Sequence, residues 1–103
     1  MGENRSQDKY TIQAVDECFD VIFLLSVPEF QQLTEQDIAA ILEMKRNKIF
    51  RLLKTLENRR IVRKKDGRWA IAPEIVKISD GFRRYIARKR AELEKMESEY
   101  LAA

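Results

Sequence analysis

The 103-residue chain contains no histidine, one cysteine, two prolines and three glycines. Without an imidazole there is no ready general base, no histidine zinc ligand and no switch near neutral pH. A single cysteine, Cys18, excludes an intrachain disulfide and a cysteine metal cluster. Set among Val15, Phe19 and Ile22, it reads as a buried, inert thiol. Gly2, Gly67 and Gly81 are scattered, so no glycine-rich loop can cradle a phosphate. Serines 6, 26, 79 and 98 have no neighbouring base, and Asp16 with Asp20 reads as a solvated pair on one helix face. No apolar run approaches bilayer length, and the opening MGENRSQDKY lacks the apolar core of a secretory signal. The expectation is no enzyme, no cofactor, no metal and no membrane, in a reducing cytoplasm.

What the chain does have is charge sorted by position. Residues 44–68 carry eleven Lys or Arg against Glu57 and Asp66, a local +9. Residues 1–43 carry two basic side chains against nine acidic ones, or −7, and residues 69–103 carry seven against six. A chain needing only solubility would mix its signs. Positive charge concentrated on one segment suits a polyanion, with nucleic acid the obvious one.

Hydrophobic periodicity divides the chain into short elements within a mainly α fold carrying a small β-hairpin. The spacing of Val15, Cys18, Phe19, Ile22 and Leu25 predicts an amphipathic helix over Gln13–Ser26, with Asp16, Glu17 and Asp20 on its outer face. Pro28 stops it, and Gln32-Leu33 is a candidate edge strand. Thr34 and Asp37 have the spacing of a capping box for a second helix, with Ile38, Ala39, Ile41 and Leu42 inward. A third helix is expected from about Lys45 to Arg59. Ile49, Leu52, Leu53 and Leu56 form its buried ridge, Asn47, Arg51 and Lys54 face the other way, and Phe50 packs at the edge. Two β-prone runs then meet at Asp66-Gly67, the dipeptide of a tight hairpin, with Trp69 and Ile71 on the core side. The order helix, short strand, helix, helix, hairpin is a winged helix-turn-helix with a long C-terminal helix.

After Pro73 the pattern is helical to the end, with a candidate break at Asp80-Gly81. Phe82, Ile86, Lys89, Leu93, Met96 and Tyr100 step by 4, 3, 4, 3 and 4, the spacing of a coiled-coil seam with Lys89 as the misfit. Such a seam packs either on its own domain or on a second chain. The resulting division is a disordered tail over 1–9, the winged domain over 10–73 and a linker or dimerisation helix over 74–103.

The segments YTIQAVDECFDVIFLLS, LTEQDIAAILEMKRNKIFRLLKTLENRRIV and RKKDGRWAIAP resemble the amino-terminal domain of IclR-type transcriptional regulators over roughly residues 10–80. The resemblance implies a DNA-binding winged helix-turn-helix. Glu43 and Arg60 stand where the family usually has glycine, so a reshaped turn is expected there. Lys45, Arg46, Asn47 and Lys48 replace the family's usual Pro-Lys-Ser-Thr opening of the recognition helix, so its base preference is not carried over. The family's ligand-sensing domain has no counterpart in these residues, and no small-molecule effector is expected.

The site expectation follows from both lines. Asn47, Arg51, Arg46 and Lys48 are candidates to read bases in duplex DNA. Lys45, Lys54, Arg63, Lys64, Lys65 and Arg68 are candidates to hold phosphates. Phe82, Ile86, Leu93, Met96 and Tyr100 form the candidate dimer seam of a homodimer. Lys45, Arg46 and Lys48 crowd a helix N-terminus where stability alone would place acids, and a bound phosphate would relieve that conflict. The expected function is a sequence-specific transcriptional regulator in the cytoplasm, associated with the nucleoid. The alternatives are a winged module that docks proteins, or a non-specific nucleic-acid binder.

Overall fold

A computed structural model describes residues 9–101 of the chain. The tail expected over 1–9 lies, through residue 8, outside the described residues. Two units follow one another, one reaching Ala72 and the other beginning at Pro73.

In the first unit, α1 spans Gln13–Leu25. It ends before Val27, which is extended as a residue preceding proline must be, and Pro28–Phe30 form a 3-10 turn. Two side chains satisfy the freed carbonyls: Ser26 Oγ donates to Phe23 O at 2.7 Å and Gln31 Nε2 to Leu25 O at 2.9 Å.

The helix α2 spans Glu35–Leu42 and opens with the expected reciprocal cap. Asp37 N donates to Thr34 Oγ1 at 3.1 Å, and Thr34 N donates to Asp37 Oδ2 at 3.2 Å. These bonds hold the Asp37 carboxyl below its ordinary pKa. At its far end Glu43 sits at φ 54° while Met44 N reaches back to Ala39 O at 3.0 Å. The helix α3 spans Arg46–Asn58 and closes the same way: Arg60 has φ 60° and Ile61 N donates to Leu56 O at 2.9 Å. Both are the left-handed cap that glycine usually supplies. The expected reshaping does not occur. The backbone keeps the glycine geometry because the six-residue hydrogen bond and the following apolar residues, half-buried Met44 and Ile61, hold it.

Strands β1 (Val62–Lys65) and β2 (Arg68–Ile71) pair antiparallel, Val62 opposite Ile71 and Lys65 opposite Arg68. Asp66 and Gly67 have φ 54° and 77°, the two positive values that a two-residue hairpin turn requires. The outer edge of β2 bridges to Leu33, with Trp69 N donating to Leu33 O at 2.7 Å. The extended stretch anticipated at Gln32-Leu33 is this bridge.

The core joins Val21, Leu24 and Leu25 of α1 to Ile38 of α2, to Ile49, Leu52, Leu53 and Leu56 of α3, and to Val62 and Trp69 of the hairpin. On α3 the observed ridge is the expected one. On α1 it is not. Of the stripe read from the sequence, only Leu25 is buried; Cys18 and Ile22 are half-buried, and Val15 and Phe19 are about half exposed, at 51% and 49%. Glu17 and Asp20, expected in solvent, are buried, only 9% and 3% exposed. Apolar side chains occur almost all round α1, so periodicity does not select a face; the neighbours that can compensate a carboxylate do. Among the described residues no buried side-chain nitrogen or oxygen lacks a hydrogen-bond partner. Ile41 of α2, also expected inward, is 41% exposed.

The second unit is a 3-10 turn at Pro73–Ile75 followed by α4, Val76–Leu101. It runs unbroken through Asp80-Gly81, the candidate break. One glycine inside 26 helical residues costs about 1 kcal/mol, too little to end a helix prolonged by the Arg-, Lys-, Glu- and Ala-rich stretch after it. No helix of the described residues is long and apolar enough to cross a membrane.

Candidate nucleic-acid interface

The buried ridge of α3 determines what its other side shows. With Ile49 and Leu53 fully buried, Lys45, Arg46, Asn47, Arg51 and Lys54 are all exposed. Phe50, at the margin of the ridge, is 45% exposed. Next along the chain, the hairpin exposes Arg63, Lys64, Lys65 and Arg68 around its tip. Arg59 and Arg60, which the sequence reading left out of the site, are exposed between helix and hairpin.

Four of these cations have partners on the protein. Lys48, half-buried, sets its Nζ 2.9 Å from Glu17 Oε2. Glu17 also accepts from Gln13 Nε2 at 3.1 Å. Lys54 pairs with Glu57 at 2.9 Å on the exposed side of α3. Lys64 lies 3.6 Å from Glu35 Oε2 and 5.6 Å from the Trp69 ring centroid, and Trp69 Nε1 donates to the same Glu35 oxygen at 3.4 Å. Arg68 Nη1 donates to Gln32 O at 3.3 Å. Lys45, Arg46, Arg51, Arg63 and Lys65 have their heads in the open, which suits a ligand that brings its own negative charge.

The carboxylate of Glu17 changes the electrostatics at the start of α3. That helix has no acid in its first turn and Lys45 at its N-cap makes no side-chain bond. Lys48, in the same first turn, is neutralised instead across the interface by Glu17. Part of the conflict expected at this helix end is therefore relieved within the protein. Periodicity along one helix gave no sign of this pair, whose members lie 31 residues apart. Glu35 plays the matching part for the hairpin, tying Lys64 and Trp69 to α2.

Beside Arg51 the surface between α1 and α3 dips into an open cleft of about 290 Å³, lined by Val15, Cys18, Leu52 and Thr55 among others. Burial raises the Cys18 thiol above its ordinary pKa, and the neighbouring Glu17 charge adds to the effect. A thiol held protonated is a poor nucleophile. Among the described residues no group of three His, Cys, Asp or Glu side chains is placed to hold a metal.

The fold and the matched segment have known relatives. Residues 29–66 match the IclR helix-turn-helix domain, the stretch from the 3-10 turn through α2 and α3 into the hairpin turn. An IclR transcriptional regulator of Alicyclobacillus acidocaldarius superposes with a TM-score of 0.65 at 27% identity, over 67% of this chain and 28% of that one. An IclR family regulator of Brucella abortus gives 0.67 at 18% identity, over 79% and 32%. MepR, a transcription regulator of the Staphylococcus aureus multidrug efflux pump MepA, gives 0.56 at 20% identity, over 82% and 65%. The chain thus corresponds to less than a third of either IclR structure. Among curated proteins none matches it significantly. The segment 29–66 is thus similar to an IclR helix-turn-helix domain, and the elements around it have the winged helix-turn-helix order.

Proposed function

We propose that this chain is a transcriptional regulator that binds double-stranded DNA by sequence. The observation that carries the reading is the division of α3: four apolar residues seal one side into the core, and Asn47 and Arg51 stand in solvent on the other. In the proposed complex α3 lies in the major groove. Arg51 pairs bidentately with guanine and Asn47 with adenine, and Arg46 reads a neighbouring base edge. Lys45, Lys54, Arg63, Lys64, Lys65 and Arg68 hold phosphates and set register without reading sequence. The open amides at the start of α3 add to the pull on a phosphate there. Lys48 reaches a base only by exchanging its Glu17 partner, so its net contribution is smaller than that of Arg51.

One winged domain touches few base pairs, and two copies on a near-palindrome are the usual solution. The apolar seam of α4, with Phe82, Ile86, Leu93, Met96 and Tyr100 all exposed, is the proposed source of pairing. The expected location is the cytoplasm, on the nucleoid, with no small-molecule effector acting on these residues. The test is selection of bound sites from a random duplex pool at two salt concentrations. A dyad-symmetric consensus and a steep fall in affinity with salt are expected, because each neutralised phosphate releases counterions. Recovery of no consensus at either salt would overturn sequence-specific binding. A protein-docking role is the second reading, favoured by the exposed Phe19 and Phe23 on α1; in that case duplex DNA is not retained at all.

A further inference from the structure

The seam on α4 determines how a second copy must lie on it. None of the 26 residues of α4 is buried, and its apolar positions occupy one face at coiled-coil spacing. The steps of 4, 3, 4, 3 and 4 read the same from either end, with residue 91 at the centre. Two such helices laid antiparallel about that centre place Phe82 against Tyr100, Ile86 against Met96 and Lys89 against Leu93 of the second copy, so every layer is filled. Laid parallel and in register, they set Lys89 against Lys89, two ammonium groups facing each other in an apolar seam.

Charge makes the same choice. Before residue 91 the helix carries Lys77, Arg83, Arg84, Arg88, Lys89 and Arg90 against Asp80, a net +5. After it come Glu92, Glu94, Glu97 and Glu99 against Lys95, a net −3. Antiparallel pairing lays the basic half of each helix along the acidic half of the other and brings Arg83 beside Glu97 of the second copy. Parallel pairing stacks like on like. Near the axis, Lys89 is 3.3 Å from Glu92 of its own helix, so these two charges enter the pair already matched. The helix dipoles also oppose one another only in the antiparallel arrangement.

We propose that α4 is covered by the same helix of a second copy running antiparallel, an isologous pair with its two-fold axis at residue 91. This rests on the dimeric reading above and adds the orientation. It makes a distance prediction, because residue 77 lies fourteen positions from the axis. Its two copies are roughly 40 Å apart in an antiparallel pair and roughly 10 Å apart in a parallel one, at 1.5 Å per residue and ordinary helix spacing.

The test is pulsed electron-spin resonance on Lys77→Cys, spin-labelled, in a Cys18→Ala background checked for folding by circular dichroism. A distance near the longer value is expected. The shorter distance would overturn the orientation while leaving the dimer, and a monomer by sedimentation would overturn the pairing itself. Neither result touches DNA binding, which the site selection measures separately. As a second measurement, Arg83→Glu should weaken the dimer about tenfold by placing two acids together at both symmetric contacts, and Glu97→Arg in the same chain should restore it. Failure of the second change to rescue the first would count against the proposed register.

Discussion

Helices α1 and α3 are equal in length, 13 residues each, and they meet across the core, yet they use their side chains in opposite ways. On α3 every apolar residue but Phe50 is inside and every cation except half-buried Lys48 is exposed. On α1 two carboxylates are inside, while Val15, Phe19 and Phe23 stand about half in water. The two helices are complementary: Glu17 on the first neutralises Lys48 on the second. The separation of acidic residues 1–43 from basic residues 44–68 therefore serves two purposes. It leaves an excess of positive charge on α3 and the hairpin, and it supplies the cross-element pairs, Glu17 with Lys48 and Glu35 with Lys64, that tie these two elements to α1 and α2.

The most direct attempt to break this contrast is a pair of truncations read by urea unfolding. Leu53→Ala, at a fully buried position of α3, should cost about 2–5 kcal/mol. Phe23→Ala, on the outer side of α1, should stay within about 0.5 kcal/mol despite removing the larger group. The reverse order would mean that α1 faces the other way. Next in size, Arg51→Ala should weaken binding to the selected duplex by about 1–3 kcal/mol and relax one position of the consensus. Lys65→Ala should instead lower affinity for all duplexes alike and reduce the salt slope by about one. If titrations of both variants overlay the parent protein, the interface lies elsewhere.

Glu17→Gln sharpens the comparison from the other helix. Lys48 is half exposed, so the loss should be only about 1 kcal/mol of stability, and it should shrink as salt screens the pair. A loss that ignores salt would point to packing as the cause. In the opposite direction, Glu43→Gly should raise stability by about 1 kcal/mol, since glycine occupies φ 54° without a Cβ clash; an unchanged or lower unfolding midpoint would show the turn to be unstrained.

The smallest effect concerns acid. The Asp37 carboxyl is depressed in the folded chain, so its contribution is present above the unfolded-state pKa and is lost as pH falls through the folded value. Asp37→Asn should flatten that part of the stability profile below about pH 4 and leave the neutral range with a constant offset. An acid limb identical to that of the parent protein would remove the capping carboxylate from the account.

Much of this was legible in the residues. Thr34 and Asp37 announce the start of α2 because a capping box is a local pattern, satisfied within four residues. Asp66-Gly67 announces the hairpin because both positions need positive φ. The α3 ridge is legible because Phe50 is the one apolar residue of the helix that lies off it. The phase of α1 was not legible, since Phe19, Ile22 and Phe23 are as apolar as Val21, Leu24 and Leu25, and only the partners distinguish them. Nor was the continuity of α4 through Gly81, where a local breaker signal met a long helix able to absorb it.

Local chemistry written in the chain is thus sufficient for the order of the elements, the Thr34–Asp37 cap, the hairpin turn and the outward cations of α3, because each depends on neighbours a few positions away. The rotation of α1, the burial of Glu17 and Asp20, and the tethering of Lys48 and Lys64 were decided only on folding. Glu17 is admitted to the core because Lys48, 31 residues further along the chain, arrives to meet it, and no local pattern records that meeting.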